Sequence, residues 1–158
     1  MKRIDSRIDT KDISSSFPLA LIVSRYHEEL SQKLLDGALT RLRELKFKEE
    51  HLTVVMAPGA IEIPIIAQRL SESGLYDALI AMGIVIEGET DHYQYVCDLV
   101  SEGCLRVSLQ NDIPVIFSVL TVKDEAQALA RLGGAEGHKG IEAVDAVVSV
   151  ISVLGQIS

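Results

Sequence analysis

The sequence contains no tryptophan, and aromatic residues make up only 4% of it, so large rings cannot supply its core. It has two cysteines, Cys97 and Cys104, on a stretch with helical spacing. Two helical turns separate them by about 10.5 Å, too far for a disulfide. A reduced, cytoplasmic chain is the simplest reading. The four histidines (His27, His51, His92, His138) are scattered and show no zinc-type spacing with cysteine. No metal is therefore expected. Positive charge is also scarce. Lys and Arg number 15 against 23 Asp and Glu, a net charge of −8. Such a body lacks the basic clusters that neutralise phosphates in non-specific nucleic-acid binding. No uncharged run of 18 or more apolar residues suggests a membrane span, since Ala143–Leu154 is short and carries Asp145. The N-terminus is charged and lacks the apolar segment of a secretory signal. GxGxxG, GxxxxGK[ST] and a serine-centred nucleophile elbow are all absent, which disfavours dinucleotide, P-loop nucleotide and serine-hydrolase sites.

What the chain does have is aliphatic residues. Its hydrophobic fraction is 47%, and its mean hydropathy is +0.24. At 158 residues it fits one domain, which would bury about 68–70% of its unfolded surface. Residues 1–16 are polar and read as an arm, with four basic and three acidic side chains, net +1. The body, 17–158, is then −9, so an arm lying on a neighbouring subunit and a frayed tail are both open.

Apolar runs at Leu19–Ser24, Leu52–Ala57, Ala78–Ile86 and Pro114–Thr121 predict four strands, the first continuous as in a parallel strand buried on both faces and the third the most apolar. Helical spacing predicts helices over Glu28–Phe47, Glu62–Ser73, Asp91–Gln110, Asp124–Leu132 and Ile141–Leu154. Residues 133–140 read as a glycine-rich loop. This β-α-β-α-β-α-β-α-α order implies a single α/β domain. It is a three-layer α/β/α arrangement on a four-stranded parallel, flavodoxin-like sheet. The last helix is too apolar for a surface helix and is expected to pack between subunits.

Parallel sheets bind ligands at the carboxyl ends of their strands, near a switch point. After the first strand comes Tyr26, which could stack on a flat ring or pack on the sheet rim. After the second, Pro58-Gly59-Ala60-Ile61-Glu62 offers close backbone approach. Its carboxylate reads either as helix-dipole complement or as acceptor from a polyol. After the third, Gly88-Glu89-Thr90 leads into a helix N-terminus that favours an anion. His92 follows in the first helical turn, where an imidazole can move protons near neutral pH. Arg131 and Lys139 flank the glycine-rich loop and suit either phosphate binding or surface solvation.

Taken together, these segments resemble the lumazine synthase family of riboflavin synthesis. The resemblance spans Leu19 to Leu154. It is carried by APGAIEIP (57–64), GIVIEGETDHYQYV (83–96) and PVIFSVLT (114–121), with AQALAR (126–131) and GHKG (137–140) in support. The resemblance implies an enzyme that joins 5-amino-6-(D-ribitylamino)uracil to 3,4-dihydroxy-2-butanone 4-phosphate. The implied products are 6,7-dimethyl-8-ribityllumazine, phosphate and water, with no metal or organic cofactor. Position by position, it implies that Tyr26, Ala60, Ile61, Glu62, Ile84, Val85, Ile86 and Phe117 bind the ribitylaminouracil. Phe117 would come from the adjacent subunit. Gly88, Glu89, Thr90 and Arg131 would bind phosphate, with Lys139 a further candidate, and His92 would transfer protons.

The family implies homo-oligomers with shared sites: pentamers, in some cases decamers or sixty-subunit shells. Four departures from the family pattern stand out: Tyr26-His27 for Phe-Asn, Ile61 for an aromatic, Ser118 for glycine, and His138 for the asparagine of GNKG. His27 and His138 bear on hydrogen bonding in the pocket. A family member acting as a flavin-binding or cage-forming scaffold without turnover is the alternative. A lone flavodoxin-like signalling module is disfavoured, because an acidic phospho-acceptor cluster is missing after the first strand.

Overall fold

The computed structural model describes residues 1–7 and 16–157. Of the arm expected over 1–16, positions 8–15 lie outside the described residues. Residues 1–7 run beside the C-terminus of the chain, where Lys2 Nζ donates to the Gln156 carbonyl at 3.2 Å.

Four strands, β1 (Leu19–Ser24), β2 (Leu52–Ala57), β3 (Ala78–Ile86) and β4 (Val115–Val122), form one sheet in the order β2-β1-β3-β4. Every pairing is parallel, with Leu19 opposite both Leu52 and Ala78, and Leu79 opposite Val115. The aliphatic runs suit this arrangement: the central β1 and β3 are covered on both faces, whereas the edge strands β2 and β4 leave Val54, Met56 and Phe117 partly exposed. Alternate residues of β1 then enter two different cores. Leu19, Leu21 and Val23 pack with helices α1 (Glu28–Glu44) and α5 (Lys139–Ile157). Ala20 and Ile22 pack with α2 (Ile63–Glu72) and α3 (His92–Asn111). The expected α/β/α layering follows directly.

Helix ends deviate from the periodicity for local reasons. The first helix stops at Glu44 rather than running to Phe47. Lys46 takes a left-handed conformation (φ 59°), its N–H donates to Arg43 O, and the Phe47 N–H returns to Leu42 O at 2.9 Å. This is the Schellman closure, and it folds Phe47 back into the core against Phe17, with ring centroids 5.1 Å apart. Before α2, Ala60–Glu62 forms a 3-10 turn, so the helix proper starts at Ile63. Beyond α4 (Glu125–Ala130), the expected glycine-rich loop is instead a small antiparallel hairpin, β5 (Leu132–Gly134) with β6 (Gly137–His138). Gly133 and Gly137 supply the positive φ that its turn needs.

One face of the apolar last helix packs within its own chain, and the rest is half-buried or exposed. Ala143, Val144, Val147 and Val148 enter the core, and Arg41 Nε of α1 pairs with Asp145 at 2.7 Å. By length and composition alone α5 could cross a membrane, but it carries Glu142 and Asp145 and lies against α1 as an amphipathic core helix. Exposed large apolar side chains lie on Tyr95, Leu99, Leu105 and Leu109 of α3, on Ile65 of α2, and on Leu154 and Ile157 at the end of α5.

Helices α1 and α5 meet through glycines. A Cβ on Gly140 would lie 2.2 Å from Leu34 O, and one on Gly37 would lie 2.0 Å from the His138 ring. His138 Nδ1 accepts from the Gly140 N–H at 3.1 Å. Gly37→Ala in an exposed helix would be stabilising by about 1 kcal/mol. Here the clash should reverse the sign and cost about 1–2 kcal/mol of unfolding free energy. Urea titration checks this, and adding His138→Ala should recover most of the loss.

Candidate active site

The sheet order puts the crevice between the carboxyl ends of β1 and β3, where the chain's direction of travel across the sheet reverses. Each wall has a local cause. At the end of β1, Ser24 is fully buried and its Oγ accepts from the Tyr26 N–H at 3.2 Å. From α1, the buried Ser31 Oγ donates to the Tyr26 carbonyl, also at 3.2 Å. The Tyr26 backbone is thus held from both sides while its side chain projects outward, 68% exposed.

The second wall follows β2. A side chain at Gly59 would meet Glu62 Oε2 at 2.9 Å, so glycine leaves that carboxylate room to fold back. Glu62 precedes α2 but makes no side-chain capping bond, and no hydrogen bond or ion pair engages it among the described residues. The carboxylate is therefore available to a ligand. The third wall is the end of β3, with Ile84 and Val85 buried and Ile86 half-buried. Beyond them, Gly88 and Thr90 lead into α3, and Thr90 Oγ1 accepts from the His92 N–H at 3.4 Å. The Asp91 side chain makes no capping bond, which leaves the positive end of a 20-residue helix open toward solvent.

These elements enclose a cleft of about 360 Å³. Ten of the expected residues line it: Tyr26, Ala60, Ile61, Glu62, Ile84, Val85, Ile86, Gly88, Thr90 and His92. Glu89 is exposed in the adjacent loop but does not line the cleft. Gly59, Tyr93 and Val96 also line it, outside the set named from the resemblance. Helical geometry could have found the last two, since Tyr93 is next to His92 and Val96 lies one turn beyond them on the same side of the helix. The Tyr93 phenol is held above its usual pKa, chiefly by burial, beside Thr121 and Cys97. Of the departures, His27 and Ile61 are in the cleft, whereas His138 is not and packs against α1 instead. Ser118 is buried too, with its Oγ donating to the Lys139 carbonyl at 3.3 Å.

Three expected residues stand apart. Phe117, on the edge strand β4, lines a second, shallower cleft of about 230 Å³ together with Lys139, Glu142 and Ala146. Arg131 donates from Nη1 to the Gln127 carbonyl at 3.0 Å. Its own carbonyl accepts from the Lys139 N–H at 2.9 Å, so the hairpin brings the two cationic residues together.

Among the described residues no cluster of three metal-ligating side chains occurs. The model of the 6,7-dimethyl-8-ribityllumazine synthase family matches residues 16–155 of the sequence. The chain belongs to that family. Synthases named 6,7-dimethyl-8-ribityllumazine synthase from three Coxiella burnetii strains, Dugway 5J108-111, CbuG_Q212 and RSA 493 / Nine Mile phase I, are each 49% identical to it over 125 residues. Each alignment covers 79% of this chain and 83% of the relative. Membership of a transferase family accords with a cleft that has an open helix N-terminus, an uncommitted carboxylate and an imidazole on its rim.

Both thiols are poor nucleophiles. Burial pushes Cys104 up to about 11, and Cys97 is also raised, mainly by desolvation. A raised pKa keeps the thiol protonated, so at pH 8 only about one Cys104 in a thousand would be thiolate. Native protein should therefore react slowly with a thiol reagent at pH 8. Denatured protein should release two equivalents promptly.

Proposed function

We propose that this cleft condenses 5-amino-6-(D-ribitylamino)uracil with 3,4-dihydroxy-2-butanone 4-phosphate, giving 6,7-dimethyl-8-ribityllumazine, phosphate and water. The observation that carries this reading is the convergence of Tyr26, Glu62, Thr90 and His92 on one cleft from the segments after three different strands of a family member. The Tyr26 ring stacks on the pyrimidine, with the aliphatic ends of β3 beside it. Ala60, Ile61 and Glu62 hold the ribityl chain, the carboxylate accepting from its hydroxyls. The phosphate rests against Gly88, Glu89 and Thr90 at the start of α3, where backbone N–H groups and the helix dipole favour an anion. The amine attacks the ketone, the imine forms with loss of water, phosphate is eliminated, and the second amine closes the ring on the carbonyl so formed with loss of a second water. His92 relays the protons that these steps exchange. Holding both substrates in one cleft contributes much of the rate, since proximity and orientation can be worth about 7–11 kcal/mol.

Phe117, Arg131 and Lys139 lie outside this cleft and share the β4–α5 edge of the chain. We assign them to the cleft of a neighbouring copy, in a homo-oligomer built on pentamers. Phe117 then covers the bound pyrimidine and Arg131 stabilises the departing phosphate. The body acts as one domain, with the arm as an appendage. No observation favours a scaffold without turnover.

His92→Ala should lower kcat by about 10²–10⁴ while leaving product affinity within a fewfold, as turnover assays and equilibrium titration would register. Failure of the wild-type chain to form the lumazine from both substrates overturns the assignment. Shared sites have their own test. Oligomers co-refolded from equal amounts of His92→Ala and Arg131→Ala chains should recover about a quarter of the sites, because one cleft and one edge need come from different chains. Activity no higher than that of the two variants assayed separately would place Arg131 in its own chain's cleft.

A further inference from the structure

Tyr26 is the most exposed large apolar side chain of the cleft wall. Its backbone is clamped by Ser24 and Ser31, but a side chain 68% exposed has little packing to fix its rotamer. The one ring packed on it among the described residues is that of the next residue. The Tyr26 and His27 rings meet edge to face, with centroids 4.8 Å apart and planes at 75°. His27 precedes α1 at the capping position, yet its side chain makes no capping bond, and its backbone is left-handed (φ 55°, ψ 54°). A residue chosen to close the helix would be Ser, Asp or Asn, and Asn tolerates this conformation at least as well as His. The imidazole is therefore not explained by the helix. It is turned into the cleft, where its contact is the tyrosine ring.

We propose that His27 is a positioning residue: it acts through Tyr26, holding the phenol ring in the plane that receives the flat ring of the substrate. The inference rests on the reading of the cleft as the pyrimidine site. The left-handed backbone aims the His27 side chain back across Tyr26, and the edge-to-face contact selects one ring orientation from those open to an exposed tyrosine. Tyrosine and histidine then form one unit, and neither substitution is independent of the other.

His27→Asn removes the ring from a backbone that asparagine adopts readily, so the turn should fold as before. It is expected to raise KM for the ribitylaminouracil about three- to tenfold, the range of an aromatic pair contact, with kcat within twofold. In a Tyr26→Ala background, which itself weakens binding, the same change should have no further effect. With no tryptophan and four tyrosines in the chain, near-ultraviolet circular dichroism reports tyrosine order without interference. His27→Asn should reduce that signal even in the absence of substrate. An unchanged KM and an unchanged spectrum overturn the proposal, as does an effect of equal size in the Tyr26→Ala background. Wild-type protein that forms no lumazine overturns the functional reading instead, and the spectrum then still decides whether His27 orders the tyrosine.

Discussion

The parallel pairing of β1 with β2 on one side and β3 on the other is the constraint on which the rest depends. All six residues of β1 are buried, and its alternating side chains feed both cores. The chain leaves β1 toward one edge of the sheet and returns past it toward the other. A crevice must therefore open where the connections diverge. Tyr26, the Gly59–Glu62 turn and the start of α3 are the three exits around that crevice. Their convergence is a consequence of strand order rather than of any contact among them.

The same topology explains why a single chain gathers most of the expected site residues in one cleft and leaves Phe117, Arg131 and Lys139 elsewhere. Strand β4 is an edge strand, so Phe117 sits at the boundary of the molecule, 43% exposed. The hairpin after α4 adds Arg131 and Lys139 to that boundary. In the proposed oligomer this edge brings Arg131 and Phe117 to a cleft that has carboxylate and imidazole but no cation, while Lys139 Nζ pairs with Glu142 at 2.6 Å.

Departures from the family pattern divide by position in the fold. Ile61 and His27 face the cleft, whereas His138 is absorbed by packing. Its ring occupies the space that Gly37 leaves on α1, and its Nδ1 accepts from the Gly140 N–H. A histidine near a glycine-rich segment looks the same in sequence whether it faces a ligand or a helix. Only the neighbour across the fold distinguishes the two, and here that neighbour is 101 positions earlier in the chain.

The sequence by itself determined the four strands, their boundaries to within a residue, the α/β layering and the segments that follow each strand. Aliphatic runs and 3.6-residue spacing are local signals, and strands covered on both faces must be uninterrupted. The motifs around residues 57–64 and 83–96 also identified the family. Tertiary structure decided what local pattern cannot encode. It ended α1 at Glu44 through a left-handed lysine, turned the expected loop into a hairpin, and buried α5 against α1. It also added Tyr93 and Val96 to the cleft while placing Phe117, Arg131 and Lys139 outside it. The helix end and the hairpin close through local backbone geometry, whereas the packing of α5 and the make-up of the cleft depend on contacts between residues far apart in sequence, which exist only once the sheet has set the positions of its helices.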